Sequence, residues 1–117
     1  MKLVVNLVLG LNRAVLAEGL SFARKTGVSP ERALEILKCS AAYSRVMDTK
    51  GRKMLRSDFK PQARLSQHLK DVRLILSFGK KFGAKLPLSA QHRKLLELVD
   101  TAGGGDLDNS AIIQAFK

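Results

Sequence analysis

The feature that most constrains this fold is the opening stretch of the chain, residues 2–26. It contains no proline, and its aliphatic residues recur at helical spacing: Leu3, Leu7, Leu11, Val15 and Leu20. The spacing predicts one long helix over about residues 2–26. Further valines and leucines make its first half apolar nearly all the way round, and such a helix is buried on several sides. In a chain of 117 residues, we therefore expect a largely buried first helix that another domain or subunit partly covers.

The rest of the sequence predicts five more helices and no sheet. Ser29-Pro30-Glu31 supplies a capping serine, a proline at the first helical position and an acid in the first turn. Further helices are expected over about residues 43–55 and 65–82, after Pro87, and at the C-terminus, where Asp106 or Asp108 is the cap. The glycine run 103–105 is expected to form a flexible break. Since aromatics make up only 5% of the residues, the pattern indicates an aliphatic, all-α single domain.

The net charge of +11 is the most unusual bulk property. A balance this basic favours nucleic acid, an anionic membrane surface or a polyanionic ligand as a partner. The basic residues are scattered over nearly every predicted helix, with clusters at 50–53 and 80–81. We interpret them as solvated helix faces and expect no nucleic-acid partner, although a basic nucleic-acid-binding module stays open as an alternative.

Cysteine and histidine content argues against a disulfide or a metal site. Cys39 is the only cysteine, so no internal disulfide can form. His68 and His92 are far apart in the sequence and have no cluster of cysteines or carboxylates near them, so we expect no metal. Asn6 and Arg13 interrupt the first apolar run, and we therefore expect neither a signal peptide nor a membrane span.

Two pairs of residues could carry chemistry. Lys2 and Asn6 are one helical turn apart, so their side chains project from one face of the first helix. Lys70 and Asp71 are adjacent in a helix with mostly apolar neighbours. Spacing alone favours a solvated helix end for the first pair and surface charges for the second.

Longer motifs show a resemblance to a known family, and they occur in order along nearly the whole chain. They are Met1-Lys2-Leu3-Val4-Val5-Asn6, Ala17-Glu18-Gly19, Gly27-Val28-Ser29-Pro30, Asp58-Phe59-x-Pro61, Leu69-Lys70-Asp71-Val72-x-Leu74 and Gly105-Asp106-Leu107-Asp108-x-Ser110-Ala111. Together they closely resemble the β-hydroxyacid dehydrogenases, a family that includes 3-hydroxyisobutyrate dehydrogenase and tartronate semialdehyde reductase and is related to 6-phosphogluconate dehydrogenase.

The resemblance implies a fold and a function. Proteins of that family have a Rossmann domain followed by an all-helical domain that begins with a long helix, so residues 1–117 resemble the C-terminal catalytic and dimerisation domain. The implied activity interconverts a small β-hydroxyacid and its semialdehyde with NAD or NADP. The cofactor would be bound mainly by the Rossmann domain, which this chain lacks. Because the first helix is too apolar to be half exposed, we expect a homodimer or higher homo-oligomer. We expect a cytoplasmic location, and the chain alone is expected to be inactive.

The resemblance also implies roles for individual residues. Lys2 would be the general acid/base that exchanges the hydroxyl proton, and Asn6 would bind the substrate. Lys70 would reach the cofactor, with Asp71 beside it near the active site. The family has a second aromatic residue shortly after Asp58-Phe59-x-Pro61, and Ala63 stands at that position here, so the substrate wall would differ. A purely structural dimerisation module is a further alternative.

Overall fold

The computed structural model describes residues 1–117 and consists of helices with no strand. The helices, listed in chain order, are α1 (Lys2–Lys25), α2 (Pro30–Lys38), α3 (Val46–Arg56), α4 (Leu65–Lys81) and α5 (Pro87–Val99), followed by a π-helical turn (Asp100–Gly104) and a 3-10 helix (Asn109–Phe116). The predicted all-α class with six helices is confirmed, with the π-helical turn continuing α5.

Two helices, α2 and the C-terminal 3-10 helix, start with the expected side-chain cap. Ser29 precedes α2, and its Oγ accepts a hydrogen bond from the backbone N–H of Arg32 at 3.3 Å. Of the two candidate caps for the last helix, Asp108 is the one used, because its side chain accepts from the backbone N–H of Ser110. Gly83 follows α4 with a positive φ of 72°, a conformation that glycine adopts without strain.

The core is aliphatic and forms around the C-terminal two-thirds of α1. Helix α1 packs against α2, α3, α4, α5 and the 3-10 helix. The largest fully buried apolar side chains are Leu20, Met54, Leu65, Leu69, Leu96, Ile112 and Val72. Phe59 is the only aromatic residue in the core, as the composition indicated.

The N-terminal part of α1 is not covered by the rest of the chain. No residue before Gly10 is buried, and Val4, Val5 and Val8 are each about half exposed. In length and composition α1 could cross a membrane, but core helices of soluble proteins meet the same criteria, and a third of its apolar window is packed inside the domain. Because the first turns of this apolar helix are uncovered, we expect a partner to cover them.

Two local expectations were wrong, and a third was confirmed only in part. Helix α3 begins at Val46 rather than near residue 43, because residues 40–44 form turns in which Ser40 Oγ accepts from the N–H of Ala42. Lys50 is buried rather than solvated, since its ammonium pairs with Asp108. The glycine run does break the helix, at Gly103 with a φ of 96°, but it is packed: Gly104 is buried against Val99, and a Cβ there would lie 2.6 Å from Val99 Cγ1.

Candidate active-site cleft

A polar cleft of about 200 Å³ lies between the N-terminal part of α1 and the start of α4. We call it the polar cleft, and its lining residues are Asn6, Leu9, Arg13, Ala63, Arg64, Gln67, His68, Asp71 and Asn109. Only Leu9 and Ala63 among them are apolar. Ligand sites usually combine concave shape with a few converging polar groups, so the polar cleft is the candidate site.

Helical spacing explains how two helices supply most of these side chains. On α1, Asn6, Leu9 and Arg13 are three and four residues apart and so share one face. On α4, Gln67 and Asp71 are four apart and share another. The two faces meet across the cleft, with amide groups on both sides.

The third wall is held in place by Asp108, which is completely buried. Its carboxylate accepts from Lys50 Nζ at 3.0 Å, from the backbone N–H of Gln62 at 2.9 Å and of Ala63 at 3.2 Å, and from the Ser110 Oγ at 2.6 Å. Burial alone would raise the pKa of Asp108, but these hydrogen bonds outweigh it and hold the pKa well below its usual range. The ionised carboxylate therefore ties the C-terminal turn to the segment before α4.

Backbone hydrogen bonds complete that connection and place Asn109 in the cleft. The N–H of Asn109 donates to the carbonyl of Ala63 at 2.8 Å, and the N–H of Leu65 donates to the carbonyl of Leu107 at 2.8 Å. Because both ends of this wall are fixed, Ala63 and Asn109 lie side by side facing α1.

Arg13 is the most unusual group in the cleft. It is only 8% exposed, and it takes part in none of the ion pairs or side-chain hydrogen bonds within the chain. Burial lowers the pKa of Arg13 to about 10, and the charge of Asp108 partly counters this. The guanidinium is therefore cationic at neutral pH, and no carboxylate of this chain pairs with it.

The two histidines are neighbours, although the sequence separates them widely. The rings of His68 and His92 are both buried, and their centroids are 5.4 Å apart. Burial, followed by the nearby charge of Arg13, lowers the pKa of His68 to about 3 and that of His92 to about 4. Both rings are therefore neutral at physiological pH. No group of three or more residues suited to holding a metal occurs.

The structure brings together two of the four site residues predicted from the sequence. Asn6 and Asp71 line the polar cleft from facing helices. Lys2 and Lys70 are exposed and are not among its lining residues. Lys2 nevertheless lies one turn before Asn6 on the same helix, so it is close to the end of the cleft.

Sequence reasoning missed Arg13 and Asn109 as cleft residues. A signal for Arg13 was present: it lies seven residues after Asn6, which places both polar groups on one face of an otherwise apolar helix. For Asn109 there was none, because its position depends on the backbone pairing with Ala63.

Comparison with known proteins agrees with this architecture. The chain is 35% identical over 117 residues to glyoxylate/succinic semialdehyde reductase 1 of Arabidopsis thaliana, covering 40% of that protein. It is 32% identical over 116 residues to 2-hydroxy-3-oxopropionate reductase of Escherichia coli, again covering 40%. It thus spans about two-fifths of the length of these curated relatives.

A solved structure and a family model cover nearly the entire chain. The 3-hydroxyisobutyrate dehydrogenase of Salmonella typhimurium superimposes with a TM-score of 0.92 at 23% identity, over 97% of this chain and 40% of that one. At that identity the likeness shows the fold. The family model described as NAD-binding of NADP-dependent 3-hydroxyisobutyrate dehydrogenase matches residues 1–116. The chain therefore belongs to this NAD-binding family of 3-hydroxyisobutyrate dehydrogenases.

Proposed function

We propose that this chain is the helical part of an NAD(P)-dependent oxidoreductase that interconverts a small β-hydroxyacid and its semialdehyde. The observation that carries the proposal is the family match over residues 1–116. The relatives with reductase names extend over more than twice the length of this chain. We infer that the complete enzyme also contains a dinucleotide-binding domain, which precedes these residues and binds most of the cofactor.

Lys2 is the proposed general acid/base, and Asn6 binds the substrate beside it. The start of α1 supports this assignment, because the N-terminal end of a helix disfavours an ammonium ion and the neighbouring side chains are apolar. In the isolated chain Lys2 is exposed to water. A domain that covers the first turns of α1 would remove that water and confine the proton to the lysine, Asn6 and the substrate hydroxyl.

Lys70 and Asp71 are the proposed cofactor contacts, and their chemistry fits. The cofactor supplies the hydride acceptor or donor when it is bound. The Asp71 carboxylate and the Asn6 amide inside the polar cleft, and the exposed Lys70 ammonium outside it, offer the donors and acceptors that a carboxamide and ribose hydroxyls require. Gly103-Gly104-Gly105 follows a helix and is packed against Val99, so it does not form the strand-loop-helix that binds a pyrophosphate. The phosphates are thus held by the other domain.

The test is a chimera in which the N-terminal portion of the E. coli relative is fused ahead of residue 1. We expect it to reduce 2-hydroxy-3-oxopropionate with NADH or NADPH. Replacing Lys2 with Ala should lower kcat at least about a hundredfold, since a positioned acid/base contributes roughly 10²–10⁴-fold. Lys25→Ala, at the other exposed end of α1, is the matched control. Turnover that survives Lys2→Ala nearly intact would exclude Lys2 as the proton carrier and leave a purely structural module.

Self-association and a cytoplasmic location belong to the same proposal. The uncovered first turns of α1 support a homodimer or a larger homo-oligomer, because exposed apolar surface of this kind marks interfaces. Cys39 is exposed and unpaired, which suits a reducing compartment.

A second candidate function rests on charge. Of the 21 lysines and arginines, only Arg13 and Lys50 are buried, so nearly all of the positive charge is at the surface. Binding of a DNA duplex measured at low and raised salt distinguishes the two functions. Tight binding with a steep salt dependence would favour a nucleic-acid-binding module, whereas weak binding at low salt would favour the oxidoreductase.

A further inference from the structure

The polar cleft contains a buried cation that the chain leaves without a partner. Arg13 is 8% exposed and forms no ion pair within the chain. Arginine is rarely buried this deeply unless it is paired, because removing its charge from water is costly. Its guanidinium lines the cleft rather than the core interior, so a ligand that enters the cleft can reach it.

No carboxylate of the chain forms an ion pair with Arg13. The charge of Asp108 raises the pKa of Arg13, but this carboxylate already accepts hydrogen bonds from Lys50, Gln62, Ala63 and Ser110. Asp71 lines the same cleft but does not approach Arg13 within ion-pair distance. The chain itself therefore supplies no counter-ion to Arg13, and an anion that enters the cleft can take that place.

A second unpartnered group lies on the opposite wall. Asn109 is 5% exposed, and its buried Oδ1 accepts no hydrogen bond. Buried polar atoms are nearly always satisfied, so this acceptor indicates a missing donor, such as a hydroxyl group. An unpaired cation and an unpaired acceptor in one cleft match a molecule that carries both a carboxylate and a hydroxyl.

We propose that Arg13 is a specificity-determining residue that anchors the carboxylate of a small hydroxyacid, with Asn109 accepting from a hydroxyl of the same molecule other than the one that reacts at Lys2. A guanidinium binds a carboxylate through two parallel hydrogen bonds. This assignment rests on the proposed function for the reaction itself, and it names the acid-binding end of the cleft.

The geometry of the cleft limits the size and orientation of that acid. The volume of about 200 Å³ is below the roughly 300–1,000 Å³ of sites for larger ligands, so the cleft takes a small molecule. Side chains on a helix lean toward its N-terminus, which directs Arg13 back toward Asn6, roughly 10 Å away along the axis at 1.5 Å per residue. The acid therefore lies along α1, with its carboxylate at Arg13 and its reacting end toward Asn6 and Lys2. The small side chain of Ala63 leaves room for it.

The experiment is an NMR titration of the ¹⁵N-labelled chain with two probes of similar shape, sodium succinate and uncharged succinamide. We expect succinate to shift the side-chain amide resonances of Asn6, Gln67 and Asn109, and succinamide to leave them in place. Arg13→Met should raise the dissociation constant of succinate at least about tenfold, because hydrogen bonds to a charged group contribute that much or more. Arg24→Met, an exposed arginine of the same helix, should leave it unchanged.

Arg13→Met should remain folded, since Arg13 has no partner to lose, and its thermal midpoint checks this. Arg13→Lys keeps the positive charge but cannot form the two parallel hydrogen bonds of a guanidinium, so this variant should bind succinate with intermediate strength. The proposal is overturned if succinate binds Arg13→Met as tightly as the parent chain, or if succinamide shifts the same resonances equally.

The titration requires no hydride transfer, so its result is separate from that of the chimera. Succinate binding through Arg13 alongside an inactive chimera would overturn the oxidoreductase and leave the carboxylate site standing. If the chimera is active but Arg13→Met does not weaken succinate binding, only the role of Arg13 is overturned.

Discussion

Among single residues, Asp108 connects three separate parts of the chain. It is completely buried and joins Lys50 of α3, the segment before α4 and the start of the 3-10 helix through one carboxylate. Removing one partner of a buried ion pair is costly because the other charge is left uncompensated. The position of Asn109, and hence one wall of the polar cleft, depends on this group.

Asp108→Asn tests that role. The substitution keeps the shape of the side chain but leaves the Lys50 ammonium buried without a counter-charge, so we expect a loss of about 3 kcal/mol in the free energy of unfolding. Asp106→Asn, two residues earlier and exposed, should change it by less than about 0.5 kcal/mol. Urea unfolding at pH 7 measures the stability of both variants. Equal midpoints would show that Asp108 does not hold these segments together.

The sequence predicted individual residues well only where a local pattern or a motif covered them. Lys2, Asn6, Lys70 and Asp71 were identified through motifs, and two of these lie in the cleft. Lys50 was interpreted as solvated because its partner is 58 positions away in the chain. No local pattern reports a pairing at that separation, so the buried ion pair could not be predicted.

At the level of the element, α1 contains two glycines in different surroundings, one closely packed and one open. Gly10 faces the buried histidine pair, so an added Cβ would press against the ring of His68 and lie 3.0 Å from His92 Cε1. Gly19 has no atom of another group within 4 Å of such a Cβ. Helix propensity alone would predict the same gain for alanine at both positions.

The matched pair Gly10→Ala and Gly19→Ala separates packing from propensity. Gly19→Ala should stabilise the chain by about 0.5–1 kcal/mol. Gly10→Ala should destabilise it by about 1–3 kcal/mol, because the buried rings must move to admit a methyl group. Thermal unfolding of both variants provides the measurement. Stabilisation by Gly10→Ala would mean that the histidine pair does not contact α1 as described.

Elements were predicted more completely than residues, because caps and periodicity are local. Ser29 and Pro30 fixed the start of α2, and Gly83 fixed the end of α4. The start of α3 was placed too early, since the turn bonds of Ser40 compete with a helix there. The packing of the glycine run against Val99 is a tertiary contact and was not predictable from composition.

For the whole molecule, the buried histidines predict sensitivity to acid. Folding holds the pKa of His68 at about 3 and that of His92 at about 4, whereas unfolded histidine titrates near ~6.5. Below that pH the unfolded state binds more protons than the folded state, so the free energy of unfolding falls as the pH falls. This stability is fully present above ~6.5 and declines through the acidic range.

We expect the free energy of unfolding to fall between about pH 6.5 and 4.5, by at most ~1.4 kcal/mol per pH unit for each histidine. The lowered pKa of Asp108 acts in the same direction only at more acidic pH, below the unfolded value of 3.8, so this window isolates the histidines. Urea midpoints across the window measure the effect, and a variant with both His68→Gln and His92→Gln should show a flatter profile. An unchanged slope in that variant would assign the acid sensitivity to other groups.

The last prediction concerns assembly and depends on an exposed seam along α1. The seam consists of residues seven positions apart, which share one helix face: Met1, Val8, Val15 and Phe22. They are 93%, 48%, 67% and 70% exposed in the single chain. An apolar stripe that runs the full length of a helix buries most surface against a second copy of itself, so we expect the chain to dimerise at high micromolar concentration.

Sedimentation equilibrium of two variants tests this seam. Each variant replaces an equally exposed valine with glutamate, and only one of the two valines lies in the seam. Val8→Glu places a charge in the seam of both copies and should shift the chain to monomer. Val28→Glu, at a valine that is also 48% exposed but lies between α1 and α2, should leave the dimer intact. A parent chain that is already monomeric, or a Val8→Glu variant that dimerises as well as the parent, would contradict this prediction.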